Sequence, residues 1–300
     1  MWPHSHFLAA YVKAEAPSTR WTAEFSDPLL WHVDGSARTS DAVRADPISR
    51  RLFGGLSPAF QRELGASPGV LRAAQLLPFA LADELVFTNV QQREVMVGDL
   101  GDTELRRQVL ARSIVSPHPT PPAEWYAGVP SVHPPRDRIS IGYFGTFYAN
   151  RGLGVMIEAL RSLPREQRNR FSVHIFSAGS AAVRAAAERA GIGQLVSAHD
   201  ELPYLRFLQA AKAFDYLLVQ DTQTGGFPVA NPFLPSKLSD YKGTGARIFA
   251  LVAPGSEMAA MSFPAKAVVG DVGSVRSALL RMTESATVDR AEGKGATHAC

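Results

Sequence analysis

Cysteine is nearly absent from this chain of 300 residues: the only one is Cys300, the last residue. A single thiol excludes an intrachain disulfide, so we expect a fold without cross-links in a reducing compartment. Long hydrophobic runs are absent as well, and a membrane-spanning helix would need ~18 apolar residues in succession. The first eleven residues lack the extended apolar run of a secretory signal. These absences predict a cytoplasmic protein.

Charge of one sign is not concentrated anywhere in the sequence. Lys and Arg number 31 against 28 Asp and Glu, which gives a formal net charge of +3. Spread charge of this size disfavours nucleic acid as a partner, while anionic small molecules remain candidates. With 46% hydrophobic and 20% charged residues, the composition excludes a mostly disordered chain and allows one large or two medium domains.

Several catalytic signatures are also missing. The glycines at 142, 145, 152 and 154 do not fit the G-x-G-x-x-G spacing of dinucleotide-binding folds, and no P-loop or G-x-S-x-G elbow occurs. No D-x-D pair exists to hold a metal-bound diphosphate, and His4 and His6 are expected to be solvated. We predict neither a metal site nor a cofactor.

What the sequence does contain is an alternation of strand and helix patterns in its C-terminal half. Helical periodicity separates successive apolar runs, for instance Leu153, Met156, Ile157 and Leu160 on one face. Such alternation predicts an α/β fold with a doubly wound parallel sheet, because parallel neighbours need crossover helices. The predicted strands are 139–144, 171–176, 195–197, 214–219, 248–252 and 267–269.

The N-terminal half shows the same texture with fewer strands, at 21–25, 84–88 and 114–116. It therefore resembles half of a domain. Proline clusters in 116–135 and predicts an interdomain linker. We expect a partial N-terminal domain over 1–130, a C-terminal domain over 131–285 and a flexible tail over 286–300.

The loop after the first C-terminal strand is one candidate ligand site. In doubly wound sheets, ligands bind at the carboxyl ends of the strands, where helix N-termini attract anions. Gly145 would let a ligand approach the backbone, Thr146 follows it, and Arg151 would reach a phosphate. The alternative is a plain connecting turn with a solvated arginine.

A second candidate lies in the segment NPFLPSKLSDYKGTG, which begins at Asn231. Pro235 suits the first turn of a helix, and Ser236 and Lys237 would then stand at its positive end. Asp240 lies one turn further on and could accept hydrogen bonds from hydroxyls of the same ligand. The alternative is a short capped helix with a surface lysine.

Together these segments resemble the donor-binding half of GT-B glycosyltransferases, in particular the large retaining group called family 4. The resemblance rests on GYFGTFYANRGL, DELPYLRFL, FDYLLV and NPFLPSKLSDYKGTGARIFALVAPGSE, and it covers about 139–281. The stretches at 21–28 and 82–89 are similar to the later part of the acceptor domain of such enzymes.

This resemblance implies two facing Rossmann-like domains, with a nucleotide-sugar between them and no required metal. Arg151 and Lys237 match the basic residues that contact the donor diphosphate, which makes them the catalytic candidates. Gly145, Thr146, Asn231, Ser236 and Asp240 are the remaining donor-binding candidates. Glycan, lipid-linked or small-molecule acceptors are expected, with association at a membrane surface for a lipid-linked one.

The chain departs from the family pattern in the E-x7-E pair. Counting back from Gly245, the second acid falls on Asp240, shorter by a methylene, and the first on Pro232, beside Asn231. A ribose contact is thus expected from Asp240, whereas the contact to the sugar hydroxyls lacks its usual residue. No general base is identifiable.

The acceptor side is less defined. Glu24 and Asp27 end a predicted strand and could face an acceptor, although surface or helix-capping roles are the stronger expectation. Only about twenty residues precede the Trp21 strand, so we expect a chain truncated at its N-terminus relative to the family. This leaves a second functional class open: a catalytically inactive or fragmentary relative that binds a nucleotide-sugar.

Overall fold

The computed structural model describes residues 3–145, 153–223 and 231–291. These residues divide into two compact units. Unit 1 contains 3–118, 231–234 and 255–257, and unit 2 contains 119–145, 153–223, 235–254 and 258–291. The domain boundary expected at residue 130 stays a prediction. Across the described ranges, no helix is long and apolar enough to cross a membrane.

Unit 1 is built on a small parallel sheet with the strand order β1-β2-β3. Its strands are β1 (Thr22–Phe25), β2 (Glu84–Phe87) and β3 (Ser113–Val115). The three strands predicted for this half from the sequence are confirmed in the part of the chain that the structure describes. The helices are α1 (Pro3–Glu15), α2 (Pro47–Gly54), α3 (Pro58–Leu64), α4 (Val70–Leu81), α5 (Val90–Gly98) and α6 (Thr103–Ala111).

Alternate residues of β1 and β2 face the core of unit 1. Ala23, Phe25, Leu85 and Phe87 are buried and belong to one apolar cluster with residues of the helices. Phe25 and Phe87 stack with ring centroids 5.2 Å apart. The opposite face is mixed: Thr22, Glu24 and Ile114 are exposed, and Glu84 and Val86 are half-buried. Among the described residues, a buried apolar layer therefore lies on only one face of this sheet.

Capping side chains set the ends of several unit 1 helices. Asp46 caps α2, accepting a hydrogen bond from the Ser49 amide at 2.8 Å, while the Asp46 amide donates back to the Ser49 hydroxyl. Asn89 caps α5 by accepting a hydrogen bond from the Gln92 amide at 2.8 Å. Arg112 donates to main-chain carbonyls at the end of α4, where the helix leaves its last carbonyls unpaired.

Unit 2 contains a six-stranded parallel sheet with the order β6-β5-β4-β7-β8-β9. The expected doubly wound sheet is thereby confirmed, and each predicted strand is present with its ends shifted by a few residues at most. The strands are β4 (Ile139–Phe144), β5 (Phe171–Phe176), β6 (Val196–His199), β7 (Tyr216–Gln220), β8 (Arg247–Val252) and β9 (Ala265–Val268).

The central strands are buried on both faces, which explains why they appear in the sequence as largely apolar runs. Helix α13 packs on α7 and β9 and buries Val275, Leu279 and Met282. The helices of unit 2 are α7 (Gly154–Ser162), α8 (Arg165–Arg168), α9 (Ser180–Arg189), α10 (Tyr204–Ala211), α11 (Lys237–Lys242) and α13 (Val272–Ala291), with α12 (Glu257–Ala260) lying across the division between the units.

Candidate functional site

The candidate site lies where the strand order of the unit 2 sheet reverses. From the central strand β4, the chain builds β5 and β6 on one side and then returns to add β7, β8 and β9 on the other. At such a reversal the connections after the two middle strands leave in opposite directions, which opens a crevice at their carboxyl ends. Gly145 follows β4 at this point, and the buried Asp221 and Thr222 follow β7.

Gly145 and Lys237, which lie in two separate segments of the sequence, meet at this crevice. A β-carbon on Gly145 would lie 2.5 Å from Cε of Lys237 and 2.6 Å from its Nζ. The end of the lysine side chain therefore occupies the space that any other residue at 145 would fill. Gly145 also has φ +135°, a conformation that disfavours residues with a β-carbon. A cation thus stands directly over glycine backbone at the mouth of the sheet.

Tyr241 fixes the helix that carries Lys237. It is completely buried, and the amide of Phe144, the last residue of β4, donates to its hydroxyl at 3.2 Å. Its ring packs edge-on against Phe144 and Phe207. Because Lys237 and Tyr241 are four residues apart, they lie on one face of α11. The buried Tyr241 therefore fixes the position of α11 from which the Lys237 side chain reaches Gly145.

The ends of α11 follow the capping expected from the sequence only in part. The helix begins at Lys237, and the carbonyl of Pro235 accepts the first-turn bond from Leu238 at 3.0 Å. Ser236 is exposed and its side chain makes no capping hydrogen bond. At the other end, the Thr244 hydroxyl donates to the Tyr241 carbonyl at 2.7 Å, and Gly245 has φ +78°. The helix is short, so the lysine charge itself is the main attraction for an anion.

Asp240 is half-buried and receives hydrogen bonds from two tyrosines. The Tyr204 hydroxyl, on α10, donates to Oδ1 of the carboxylate at 2.6 Å. The Tyr126 hydroxyl donates to the main-chain carbonyl of Asp240 at 2.8 Å. Burial and the bond to Asp240 raise the pKa of Tyr204. Burial and the nearby carboxylate raise the pKa of Tyr126 to about 12. Both phenols are therefore donors at neutral pH.

Tyr126 belongs to a short 3-10 helix, Ala123–Tyr126, inside the proline-rich segment. Its ring lies against Gly243, where a β-carbon would collide with it, and Lys212 donates to its carbonyl at 3.1 Å. No role for Tyr126 or Tyr204 was predicted from the sequence. The two lie far from Asp240 along the chain, and no local spacing connects them to it.

Asn231 belongs to unit 1. It is buried, and its Oδ1 accepts a hydrogen bond from the Phe233 amide at 2.9 Å. The next carbonyl, of Pro232, accepts a bond from the Asn89 side chain at 3.0 Å. Asn231 thus shapes its own turn here, and its donor-binding role stays a prediction.

Two predicted site residues, Thr146 and Arg151, lie outside the described residues. The two acceptor-side candidates are described. Glu24 on β1 and Asp27 just beyond it are both exposed, and no helix begins near Asp27, since the next described one starts at Pro47. The helix-capping alternative for Asp27 is therefore wrong, while the acceptor-side role stays a prediction.

A histidine pair lies on β5 and β6, the two strands on one side of β4. Nδ1 of His174 is 3.2 Å from Nε2 of His199, and Nε2 of His174 is 2.8 Å from the Ser172 hydroxyl. Burial and then the neighbouring imidazole lower the pKa of His174 to about 4. The pKa of His199 is lowered chiefly by burial, with Arg184 and Asp200 as the nearby charges. Among the described residues, no three His, Cys, Asp or Glu side chains are grouped so as to hold a metal ion.

The strand orders and site position define the class of fold. The chain has a GT-B fold, with a six-stranded Rossmann-like sheet in unit 2 and a smaller Rossmann-like sheet in unit 1, as the sequence resemblance implied. Membership of family 4 stays a prediction. Neither a protein-family model nor a curated protein sequence matches the chain.

Several solved structures resemble the fold of this chain. HepE of Anabaena, crystallised in complex with UDP and glucose, is 13% identical with a TM-score of 0.59, covering 95% of this chain and 68% of HepE. HepE in complex with UDP-glucose gives a TM-score of 0.57 over the same shares. A glycosyltransferase from Rickettsia africae is 9% identical with a TM-score of 0.54, covering 92% of this chain and 63% of that one. At these identities the likeness establishes the fold alone.

Proposed function

We propose that this protein is a glycosyltransferase that moves a sugar from a nucleotide-sugar to a glycan, lipid-linked or small-molecule acceptor. The observation that carries the proposal is the Lys237 ammonium over Gly145 at the point where the sheet order reverses. This is where open α/β sheets bind ligands, and the cation selects an anionic one. Support for a nucleotide-sugar comes from HepE, which shares the fold and was crystallised with UDP-glucose.

The negative charge that develops during the reaction would lie near the Lys237 ammonium. As the bond between the sugar and the nucleotide breaks, negative charge develops on the departing diphosphate and the sugar becomes cationic. Lys237, together with Arg151 as predicted from the sequence, would stabilise the leaving group. One preorganised donor of this kind is typically worth ~3–4 kcal/mol of the barrier. Two cations and the lack of a D-x-D pair in the sequence support transfer without a metal or another cofactor.

Asp240 would hold the nucleotide through its ribose hydroxyls. Its carboxylate stands one turn beyond Lys237 on α11, so one ligand could contact both side chains. Retention of the anomeric configuration is proposed from the resemblance to family 4. If the acceptor is lipid-linked, the enzyme would work at a membrane surface.

One observation favours a second candidate, an inactive relative that binds a nucleotide-sugar. The position of the first acid in the E-x7-E pair is Pro232, whose carbonyl is bound to Asn89 within unit 1. A proline cannot replace a carboxylate that binds sugar hydroxyls. Binding without turnover would fit this candidate.

A two-stage experiment tests both candidates. The first stage measures the melting temperature of the full chain with UDP-, GDP- and dTDP-sugars, since a ligand that binds only the folded state stabilises it. At a concentration of 100 times the Kd, the expected gain is about 2.7 kcal/mol. The second stage measures nucleotide release and sugar transfer with whichever donor stabilises the protein. Stabilisation with turnover supports the transferase, stabilisation without turnover supports the inactive relative, and no stabilisation by any donor overturns both.

A further inference from the structure

Two tyrosine side chains of the protein donate hydrogen bonds to Asp240 from two directions. Tyr204 reaches one oxygen of the carboxylate from α10, and Tyr126 reaches the carbonyl of the same residue from the 3-10 helix. Both donors and the acceptor belong to unit 2. The bond from Tyr126 reaches the main chain of α11 and can stabilise this six-residue helix. The bond from Tyr204 reaches only the Asp240 side chain, so helix stabilisation does not explain it.

The Tyr204 ring is itself fixed by neighbouring aromatic rings. It packs edge-on against Trp125 at 6.3 Å between centroids and lies 5.9 Å from Phe207. Phe207 in turn contacts Tyr241, the anchor of α11. The hydroxyl that meets Asp240 is thus carried on a supported ring, although the residue is 47% exposed.

We propose that Tyr204 is a positioning residue: by donating to Oδ1 of Asp240, it orients the carboxylate so that Oδ2 accepts hydrogen bonds from the ribose hydroxyls of a bound nucleotide. This inference rests on the proposed function, because it assigns the role of a second residue at the same donor site. Tyr126 has a different task, which is to hold the main chain of Asp240 in place.

The chemistry explains why an aspartate would need such a partner. A charge-assisted hydrogen bond between a hydroxyl and a carboxylate is short and directional, as the 2.6 Å distance here is. With Oδ1 engaged, rotation of the carboxylate is restricted, and the freedom that binding would otherwise remove is already lost in the free protein. Asp240 is one methylene shorter than the glutamate of the family pattern, so its reach depends more strongly on its orientation.

The test compares nucleotides that differ only in the ribose. Binding of UDP and GDP, and of their 2′,3′-dideoxy analogues, is measured by calorimetry on the full chain and on the Tyr204→Phe variant. We expect the unaltered protein to prefer the ribonucleotide by about tenfold or more, since a hydrogen bond to a charged group is worth this much. In Tyr204→Phe, the affinity for the ribonucleotide should fall about five- to tenfold, while that for the dideoxy analogue stays within about twofold.

Two further variants separate positioning from structural damage. Tyr126→Phe removes the other phenolic bond to Asp240 and should lower the melting temperature while leaving the ratio of the two affinities unchanged. Asp240→Asn should reduce the ratio, and adding Tyr204→Phe to it should change the ratio no further, because the two residues act through one contact. Phenylalanine retains the packing against Trp125 and Phe207, so Tyr204→Phe should fold.

The outcomes are distinct. A Tyr204→Phe protein that keeps the full preference for the ribonucleotide overturns this inference and leaves the proposed function intact. Equal binding of both nucleotides by the unaltered protein overturns the ribose role of Asp240 and, with it, that of Tyr204, while donor binding still holds. Failure to bind either nucleotide overturns the proposed function and this inference together.

Discussion

The side chain of Lys237 and the backbone of Gly145 occupy adjoining space at the carboxyl end of β4, so that a β-carbon on the glycine would lie 2.5 Å from the lysine Cε. Gly145 follows β4 and Lys237 begins α11, and three strands lie between them in the sequence. Because of this contact, a larger residue at position 145 would displace the Lys237 ammonium. A substitution of Gly145 therefore tests the position of the lysine, even if the glycine itself does not contact the ligand.

Gly145→Ala should weaken binding of the donor found in the melting screen by about tenfold or more, because it combines a φ of +135° with displacement of the lysine. The affinity is measured by calorimetry. Gly154→Ala is the matched control: it lies at the start of α7, where a β-carbon meets nothing within 4 Å, so binding should be unchanged. Equal affinities for the two alanine variants would show that the lysine need not stand over Gly145.

Lys237→Ala should reduce turnover at least ~100-fold, because the charge that stabilises the departing diphosphate is removed. Steady-state kinetics with saturating donor would measure this loss. Lys242→Ala, at the exposed far end of the same helix, serves as control and should keep its activity within about twofold, as expected for a surface substitution. Unchanged turnover in Lys237→Ala would remove the lysine from the site.

Tyr241→Phe should lower the free energy of unfolding of the chain by about 1–2 kcal/mol, because the buried amide of Phe144 loses its hydrogen-bond partner. Urea denaturation would measure the change. Tyr11→Phe, on the exposed side of α1, should alter stability by less than about 0.5 kcal/mol. If Tyr241→Phe were as stable as Tyr11→Phe, the hydroxyl would not fix α11 to β4.

The histidine pair should make stability depend on pH on the acid side. The pKa of His174 is about 4 in the folded chain, below the 6.5 of an unperturbed imidazole, mainly because it is buried. Between pH 6.5 and about pH 4, His174 therefore binds a proton in the unfolded chain but not in the folded chain. The stability contributed by the neutral imidazole is complete above pH 6.5, falls as the pH drops to about 4, and does not fall further below that. His6, whose pKa is also lowered by burial, acts in the same direction.

Melting temperatures measured between pH 8 and pH 4 would show this decline, and His174→Gln should flatten it without abolishing it, since His6 and His199 still contribute. Imidazole NMR signals provide the direct check, and those of His174 should not titrate above pH 5.5. A His174 signal that titrates near 6.5 would contradict a neutral, hydrogen-bonded pair.

Much of unit 2 could be predicted because its strands are buried on both faces. Such strands are apolar at most positions, so Ile139–Phe144 and Phe171–Phe176 are recognisable in the sequence. The amphipathic face of α7 is equally plain, with Met156, Ile157 and Leu160 buried as expected.

Other elements gave weaker signals. Helix α1 was not expected, since the residues it buries are His6 and Ala10 rather than a stripe of large apolar side chains. The expectation that His6 is solvated is wrong: it is buried, and its Nδ1 lies 2.8 Å from the Ala74 carbonyl oxygen. Helix α2 was missed too, although Asp46 and Ser49 have the spacing of a capping pair just before and inside it.

The candidate site was predictable where the chemistry follows from one segment, as it does for Lys237 and Asp240. It was not predictable where distant segments supply the partners. Tyr126 lies in a proline-rich stretch that indicates a linker, and Tyr204 looks like one more residue on a helix face. Their convergence on Asp240 depends on how the 3-10 helix Ala123–Tyr126 and α10 are packed, which no pattern along the chain encodes.

The face of the small unit 1 sheet that points away from the apolar cluster has a consequence for self-association. Val86 and Ile114 lie on this face, and an exposed apolar surface favours stacking of a second copy. Thr22, Glu24 and Glu84 lie beside them, and the threonine hydroxyl donates to the Glu84 carboxylate at 3.2 Å. Two copies that met through this face would bring like charges together and strip water from them. The mutual repulsion of these carboxylates therefore opposes stacking through Val86 and Ile114.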